Sequence, residues 1–218
     1  MLYVVATPIG NLADISGRAA ATLQAVDYIA CEDTRHSKLL LQHIGVFAPT
    51  ISFHAHSNDH RISELIAKMQ AGKKVALISD AGTPGLSDPG GLLVKAAHAH
   101  GVTVEAIPGP SAVVAALSVS GMSADQFIFY GFLPKKKGRQ TLLTALKTEP
   151  KTTVFFESPH RILKTLADFR AILGGDRTIC VCRELTKQFE EVLVGSLDQM
   201  CAEPVREQGE FVLVLEGV

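Results

Sequence analysis

Two carboxylates, Asp80 and Asp88, lie in the stretch SDAGTPGLSDPG (residues 79–90), which also carries three Gly, two Pro, two Ser and a Thr. Carboxylates in a loop of small residues repel a pyrophosphate, and they suit ribose hydroxyls or a cationic ligand. Ala81, Gly82 and Gly85 leave the backbone open to close approach. Three more segments share this turn-rich character: TPIGNL (7–12), EDTR (32–35) and PGPSA (108–112). The first has a single glycine, Gly10, so it lacks the G-x-G-x-x-G turn of a dinucleotide site. No G-x-x-x-x-G-K-[ST] run occurs in the chain, which excludes an ordinary P-loop NTPase.

These loops must be positioned by the apolar runs that precede them. The strand-like segments LYVVAT, DYIACE, TISFH, VALI and VTVEAI alternate with helical ones in the first half. Helix GRAAATLQAV has Ser16 as its N-cap, and DTRHSKLLLQHIG closes at Gly45. NDHRISELIAKMQAG places Ile62, Leu65, Ile66 and Met69 at helical spacing and ends at Gly72. Residues 92–99 form the next helix. Strands alternating with helices predict a parallel, helix-covered sheet. In such a sheet all four loops leave the carboxyl ends of strands on one edge, where open α/β sheets bind ligands. The second half carries five further strand candidates: QFIFYGF, TTVFFES, RTICVCREL, EEVLVGSL and GEFVLVLEGV. The last two leave no room for a crossover helix and are expected to run antiparallel. The break falls near PGPSAVVAALSVSG, giving two α/β domains, 1–110 and 111–218.

The 218 residues include 21 Lys and Arg against 22 Asp and Glu, a formal charge of −1. There is no global basic field for non-specific nucleic-acid binding, only the local run PKKKGR. Cys31, Cys180, Cys182 and Cys201 form no C-x-x-C pair and read as buried free thiols of a reducing cytoplasm. MLYVVATPIG lacks the basic start of a signal peptide and no run reaches membrane-spanning length, so the expectation is a cytoplasmic protein with no membrane partner. His54, His56 and His60 cluster in FHAHSNDH, but no Cys, Asp or Glu set completes zinc spacing, and no metal is expected.

The order of ATPIGNLADIS, CEDTRHSKLLLQHIG, SDAGTPGLSDPG, IPGPSAVVAALSVSG, FYGFLPKKKGR, FFESPHR, RELTKQFEE and GEFVLVLEG runs the whole length of the chain. This order resembles the tetrapyrrole methylase superfamily of S-adenosylmethionine enzymes. Within that superfamily it resembles the bacterial branch that methylates the ribose 2′-oxygen of a decoding-region cytidine in 16S rRNA. The resemblance implies two α/β domains, a mainly parallel sheet in the first, a mixed sheet in the second, and the cofactor in the cleft between them. It implies cofactor contacts at Ile9, Gly10, Asp80, Ala81, Gly82, Thr83, Ser111 and Ala112. Phe156, Arg183, Glu184, Glu210 and Phe211 are implied from the second domain. Sulfonium is a cation that calls for oxygens and apolar walls.

The same resemblance makes Lys135, Lys136, Lys137 and Arg139 candidates for phosphate contact, with Arg35 and Arg161 beside the cleft. It implies a homodimer acting on 16S rRNA within the small ribosomal subunit. Glu157 and Lys187 are candidates for the base that takes the hydroxyl proton. The branch usually extends past GEFVLVLEG into a small helical module, whereas this sequence stops at Val218, and RELTKQFEE to VGSL is a few residues shorter than in the branch. Two rival readings keep the fold and cofactor: methylation of a tetrapyrrole or other small molecule, or an assembly factor that holds rRNA without methylating it.

Overall fold

The computed structural model describes residues 1–54, 59–203 and 205–218, and the chain separates into two compact units, Met1–Ser111 and Ala112–Val218. His56 and Pro204 lie outside the described residues.

The first unit builds a five-stranded sheet from β1 (Leu2–Val5), β2 (Tyr28–Cys31), β3 (Thr50–Ser52), β4 (Val75–Ile78) and β5 (Val104–Ile107), in the order β3-β2-β4-β1-β5. Every pairing is parallel. β4 sits at the centre of the sheet and all four of its residues are buried. That is why VALI shows no alternation: both faces of the strand are covered. One face packs Leu65, Ile66 and Met69 of α3 (Asp59–Gln70) and Leu93 and Ala97 of α4 (Gly90–Ala99). The other packs Ala19 and Leu23 of α1 (Gly17–Ala25) and Leu41 of α2 (Thr34–His43). Ser16 caps α1 as expected, its Oγ accepting from the Ala19 N–H at 3.1 Å.

The second unit opens with α5 (Ala112–Ser120), followed by β6 (Phe127–Phe132), α6 (Arg139–Ala145), β7 (Thr152–Glu157) and α7 (Ile162–Leu173). It continues through β8 (Thr178–Arg183), β9 (Glu191–Ser196), α8 (Leu197–Ala202) and β10 (Phe211–Leu215). The strand order is β6-β7-β10-β8-β9. β6 runs parallel to β7, while β10 and β9 pair antiparallel with their neighbours, as their short connections required. The sheets are thus parallel in the first unit and mixed in the second. Three helices in this half were not drawn from the sequence. For α7 the signal was present, with Ile162, Thr165, Leu166 and Phe169 buried at helical spacing. For α8 it was a capping box at Ser196 and Gln199.

Candidate active site

The four turn-rich segments of the first unit do meet at one edge of its sheet. Thr7, just past β1, and Gly82, past the adjacent β4, form an antiparallel bridge: Thr7 N–H donates to Gly82 O at 2.9 Å and Gly82 N–H to Thr7 O at 3.1 Å. The Thr7 hydroxyl reaches Ser79 O and Gly82 O, both at 3.3 Å. Thr83 Oγ1 donates to Pro110 O at 3.0 Å, tying in the loop after β5. The Asp33 N–H donates to Asp80 Oδ1 at 3.1 Å, tying in the loop after β2.

Gly82 is what allows this convergence. Its φ is +79°, and a Cβ built there would lie 3.2 Å from Ile9 Cγ2 and 3.5 Å from Pro110 O. The expectation that its backbone stands open to a ligand is therefore corrected: Gly82 is buried and both its N–H and its C=O are taken by Thr7. Asp88 is likewise engaged, accepting from the N–H groups of Gly85 (2.8 Å) and Gly90 (2.7 Å), so it shapes the loop ahead of α4. Gly10 and Ala81 are exposed, and Ile9, Asp80 and Thr83 lie around them. Ser111 Oγ is a buried hydroxyl without a hydrogen-bond partner, and its Cα lies 4.0 Å from the Cβ position of Gly82.

Glu32 is a feature the sequence reading passed over. Burial raises its carboxyl above the ordinary value, the Asp80 and Asp88 charges add to the effect, and His54 opposes them. Its neighbour Asp33 behaves oppositely, held down at about 2 by hydrogen bonds from the Arg35 side chain and backbone. Arg35 itself is exposed and clasps Asp33 at 2.9 Å.

In the second unit, Arg183 is 5% exposed and its guanidinium is spent on Glu191 (2.8 Å) and the carbonyls of Phe189 (3.0 Å) and Gln208 (3.2 Å). Phe211 belongs to the core of this unit. These two act on the surrounding frame. Phe156 is half-buried against Phe129. Glu184 adopts φ +52° and accepts from the Glu210 N–H at 2.9 Å, and Lys187 bridges Glu184 and Glu210 at 2.9 Å each. Ala112 begins α5.

The two candidate bases fare poorly. Glu157 is 2% exposed, and its oxygens accept from Ser158 N–H (2.8 Å) and Thr165 Oγ1 (2.7 Å), with Arg161 Nε at 3.5 Å. Enclosed and fully engaged, it is a framework carboxylate. Burial pulls the Lys187 ammonium down, but hydrogen bonds to Glu210 and Glu184 outweigh it and its pKa is raised. A lysine raised from its ordinary value stays protonated at neutral pH and takes no proton.

Lys135, Lys136 and Lys137 are exposed in the turn before α6, as a phosphate patch requires. Arg139 differs. It is 9% exposed and pairs with Asp168 at 2.8 Å and Thr165 at 3.0 Å, which removes it from the surface. Arg161 also faces inward, donating to Leu133 O at 2.8 Å. Cys31, Cys180 and Cys182 are buried and free, while Cys201 is free but exposed, contrary to expectation. Among the described residues, no group of three or more His, Cys, Asp or Glu is placed to hold a metal ion, and no helix is long and apolar enough to cross a membrane.

Comparison with known proteins defines the class. The family model of tetrapyrrole (corrin/porphyrin) methylases matches residues 1–201. Solved structures with the same fold include diphthine synthase (TM-score 0.75, 14% identity, covering 99% of this chain and 90% of that one). A uroporphyrin-III-C-methyltransferase from Thermus thermophilus also shares it (TM-score 0.70, 17% identity, 99% and 93% covered). Fold and family model together define an S-adenosylmethionine-dependent methyltransferase.

Much nearer in sequence are proteins named ribosomal RNA small subunit methyltransferase I. That of Synechocystis sp. is 50% identical over 220 residues, covering 100% of this chain and 79% of the relative. That of Escherichia coli O157:H7 is 47% identical over 221 residues (99% and 77%), and that of Mesorhizobium japonicum 54% over 197 (90% and 67%). The chain belongs to the tetrapyrrole methylase family and, within it, to the group of ribosomal RNA small subunit methyltransferase I.

The first unit suits the cofactor of this class. A cationic sulfonium and a ribose call for oxygen acceptors beside closely approachable backbone. The edge offers the half-buried Asp80 carboxylate, exposed Gly10 and Ala81, and the orphan hydroxyl of Ser111.

Proposed function

We propose that the protein transfers a methyl group from S-adenosylmethionine to RNA of the small ribosomal subunit, at the ribose 2′-hydroxyl of a cytidine in the decoding region. The observation that carries this reading is the 47–54% identity, over nearly the whole chain, to proteins whose name specifies small-subunit ribosomal RNA. The convergent loop edge of the first unit supports it with a place for the cofactor.

Ile9, Gly10, Asp80, Ala81, Thr83 and Ser111 are the first unit's residues for holding the cofactor. Gly82 contributes by locking the loops to one another. Phe156 and the Glu184–Lys187–Glu210 group are the second unit's candidates. When bound, the cofactor supplies a methyl group already activated by its sulfonium sulfur. The protein's part is then to align the hydroxyl for in-line attack, and alignment alone accounts for large accelerations. Neither Glu157 nor Lys187 is asked to take the proton. The protein is read as a cytoplasmic homodimer, since C₂ pairing is the commonest assembly of soluble proteins and doubles the phosphate contacts available to one particle. Sedimentation at micromolar concentration tests the dimer, and a monomeric mass contradicts it.

The function is tested by offering labelled S-adenosylmethionine with small subunits lacking the modification, or with a tetrapyrrole acceptor. Label in the RNA alone is expected. Label in the tetrapyrrole alone would transfer the protein to the small-molecule branch. Binding of the RNA without label would make it an assembly factor.

A further inference from the structure

The sequence alternation of β6 is broken just before its end. Phe127, Ile128 and Phe129 pair in register with Thr152, Thr153 and Val154 of β7, but after a bulge Phe132, not Gly131, stands opposite Phe156. Gly131 takes φ +66° to make this possible. Without the extra residue Phe132 would point to the other face, where Tyr130 stacks on Phe155. With it, Phe129, Phe132 and Phe156 share one face: Phe129 meets Phe156 edge-on at 4.9 Å, and Phe132 meets it at 5.6 Å. Phe132 nevertheless remains 56% exposed, on the edge strand of the sheet.

Three residues further on come the exposed Lys135, Lys136 and Lys137. Their loop is fixed to the frame of the second unit. Arg161 donates to Leu133 O at 2.8 Å and lies against Glu157, while Arg139 is anchored by Asp168 and Thr165 and reaches Pro134 O at 3.5 Å. The two guanidiniums therefore hold the segment between ring and lysines, and the spacing of an apolar face and a cationic run is built in. In a chain of net charge −1, an exposed ring beside three clustered cations matches a polyanion that also presents flat apolar surfaces.

We propose that Phe132 is a stacking platform for an unpaired nucleobase of the RNA substrate, with the neighbouring phosphates held at Lys135, Lys136 and Lys137. This rests on the reading of RNA as the substrate. Arg139 and Arg161, which the sequence placed on the RNA, act as positioning residues for the platform. Stacking is not ionic, so its loss has a different signature from loss of a lysine.

The test measures affinity for a single-stranded oligonucleotide of the small-subunit decoding region over a range of salt, using the full chain and its Phe132→Leu, Phe132→Trp and triple Lys→Ala variants. Phe132→Leu is expected to weaken binding about tenfold or more with an unchanged log–log salt slope, and Phe132→Trp to restore it. The triple lysine variant is expected to flatten the slope by roughly 0.7 per lost contact. The melting temperature should stay near the wild-type value in Phe132→Leu. Wild-type RNA affinity in that variant overturns the proposal. So does a changed sedimentation mass, which would show the ring covered by a second copy. Methyl transfer by the wild-type protein is measured alongside. Its failure refutes the substrate reading itself, whereas transfer with an indifferent Phe132 refutes only the platform.

Discussion

Replacing Gly82 with Val probes the junction on which the first unit's site depends. The position has φ +79°, a conformation that costs an L-residue roughly 1–2 kcal/mol and a β-branched one more. The new Cβ would lie 3.2 Å from Ile9 Cγ2, so Ile9 has to give by a few tenths of an ångström, and the two valine methyls extend that clash toward Pro110 O at 3.5 Å. Overpacking of this kind costs about 1–3 kcal/mol. The sum, about 2–5 kcal/mol, is comparable to a substantial share of the stability of an ordinary domain. Opening the Thr7–Gly82 bridge would relieve it and separate the loops after β1 and β4. Denaturant unfolding of the variant should show the loss in the first unit, and calorimetry should show S-adenosylmethionine affinity at least about tenfold weaker. Gly82→Ala, which adds the Cβ without the methyls, should fall between. Wild-type stability and affinity in Gly82→Val would refute the claim that this bridge organises the site.

Arg139→Met should destabilise the second unit by about 2–4 kcal/mol by denaturant unfolding, less than for a fully buried pair because the Asp168 side chain is 31% exposed. Glu32→Gln should raise the melting temperature at pH 7. The folded pKa of Glu32 is raised, so its ionised form destabilises the native state above that pKa, and the advantage of Gln should vanish as pH falls below the unfolded value near 4.5. Replacing Lys135, Lys136 and Lys137 with Ala should leave S-adenosylmethionine affinity unchanged in calorimetry while raising the KM for small subunits, most visibly at low salt.

The parallel sheet was legible because its strands are uninterrupted apolar runs and its helices carry caps and periodic faces. Four loop signatures after strand ends were enough to foresee that they share one edge. Sequence could not show how each group in those loops is spent. Gly82 and Asp88 looked available, yet each satisfies neighbouring backbone, because a tight loop must pair its own N–H and C=O groups first. The same limit explains Glu157, Arg139 and Arg161. A charged residue in a motif reads as chemistry, but these three lie at strand and helix ends where Thr165 and Asp168 turn them into one buried network. Phe132 escaped notice because its exposure depends on a bulge at Gly131, and strict alternation assigns it to the wrong face.

The central claim is tested most directly by locating the methyl group. Small subunits lacking the modification are incubated with the protein and labelled S-adenosylmethionine, the RNA is digested, and the methylated nucleoside is identified by mass spectrometry. The account predicts a single product, 2′-O-methylcytidine from the decoding region, formed at full rate by the wild-type chain and more slowly by Gly82→Val when S-adenosylmethionine is below saturation. A methyl group on a base, on a protein or on a tetrapyrrole offered in competition, with the RNA ribose unmodified, would contradict it.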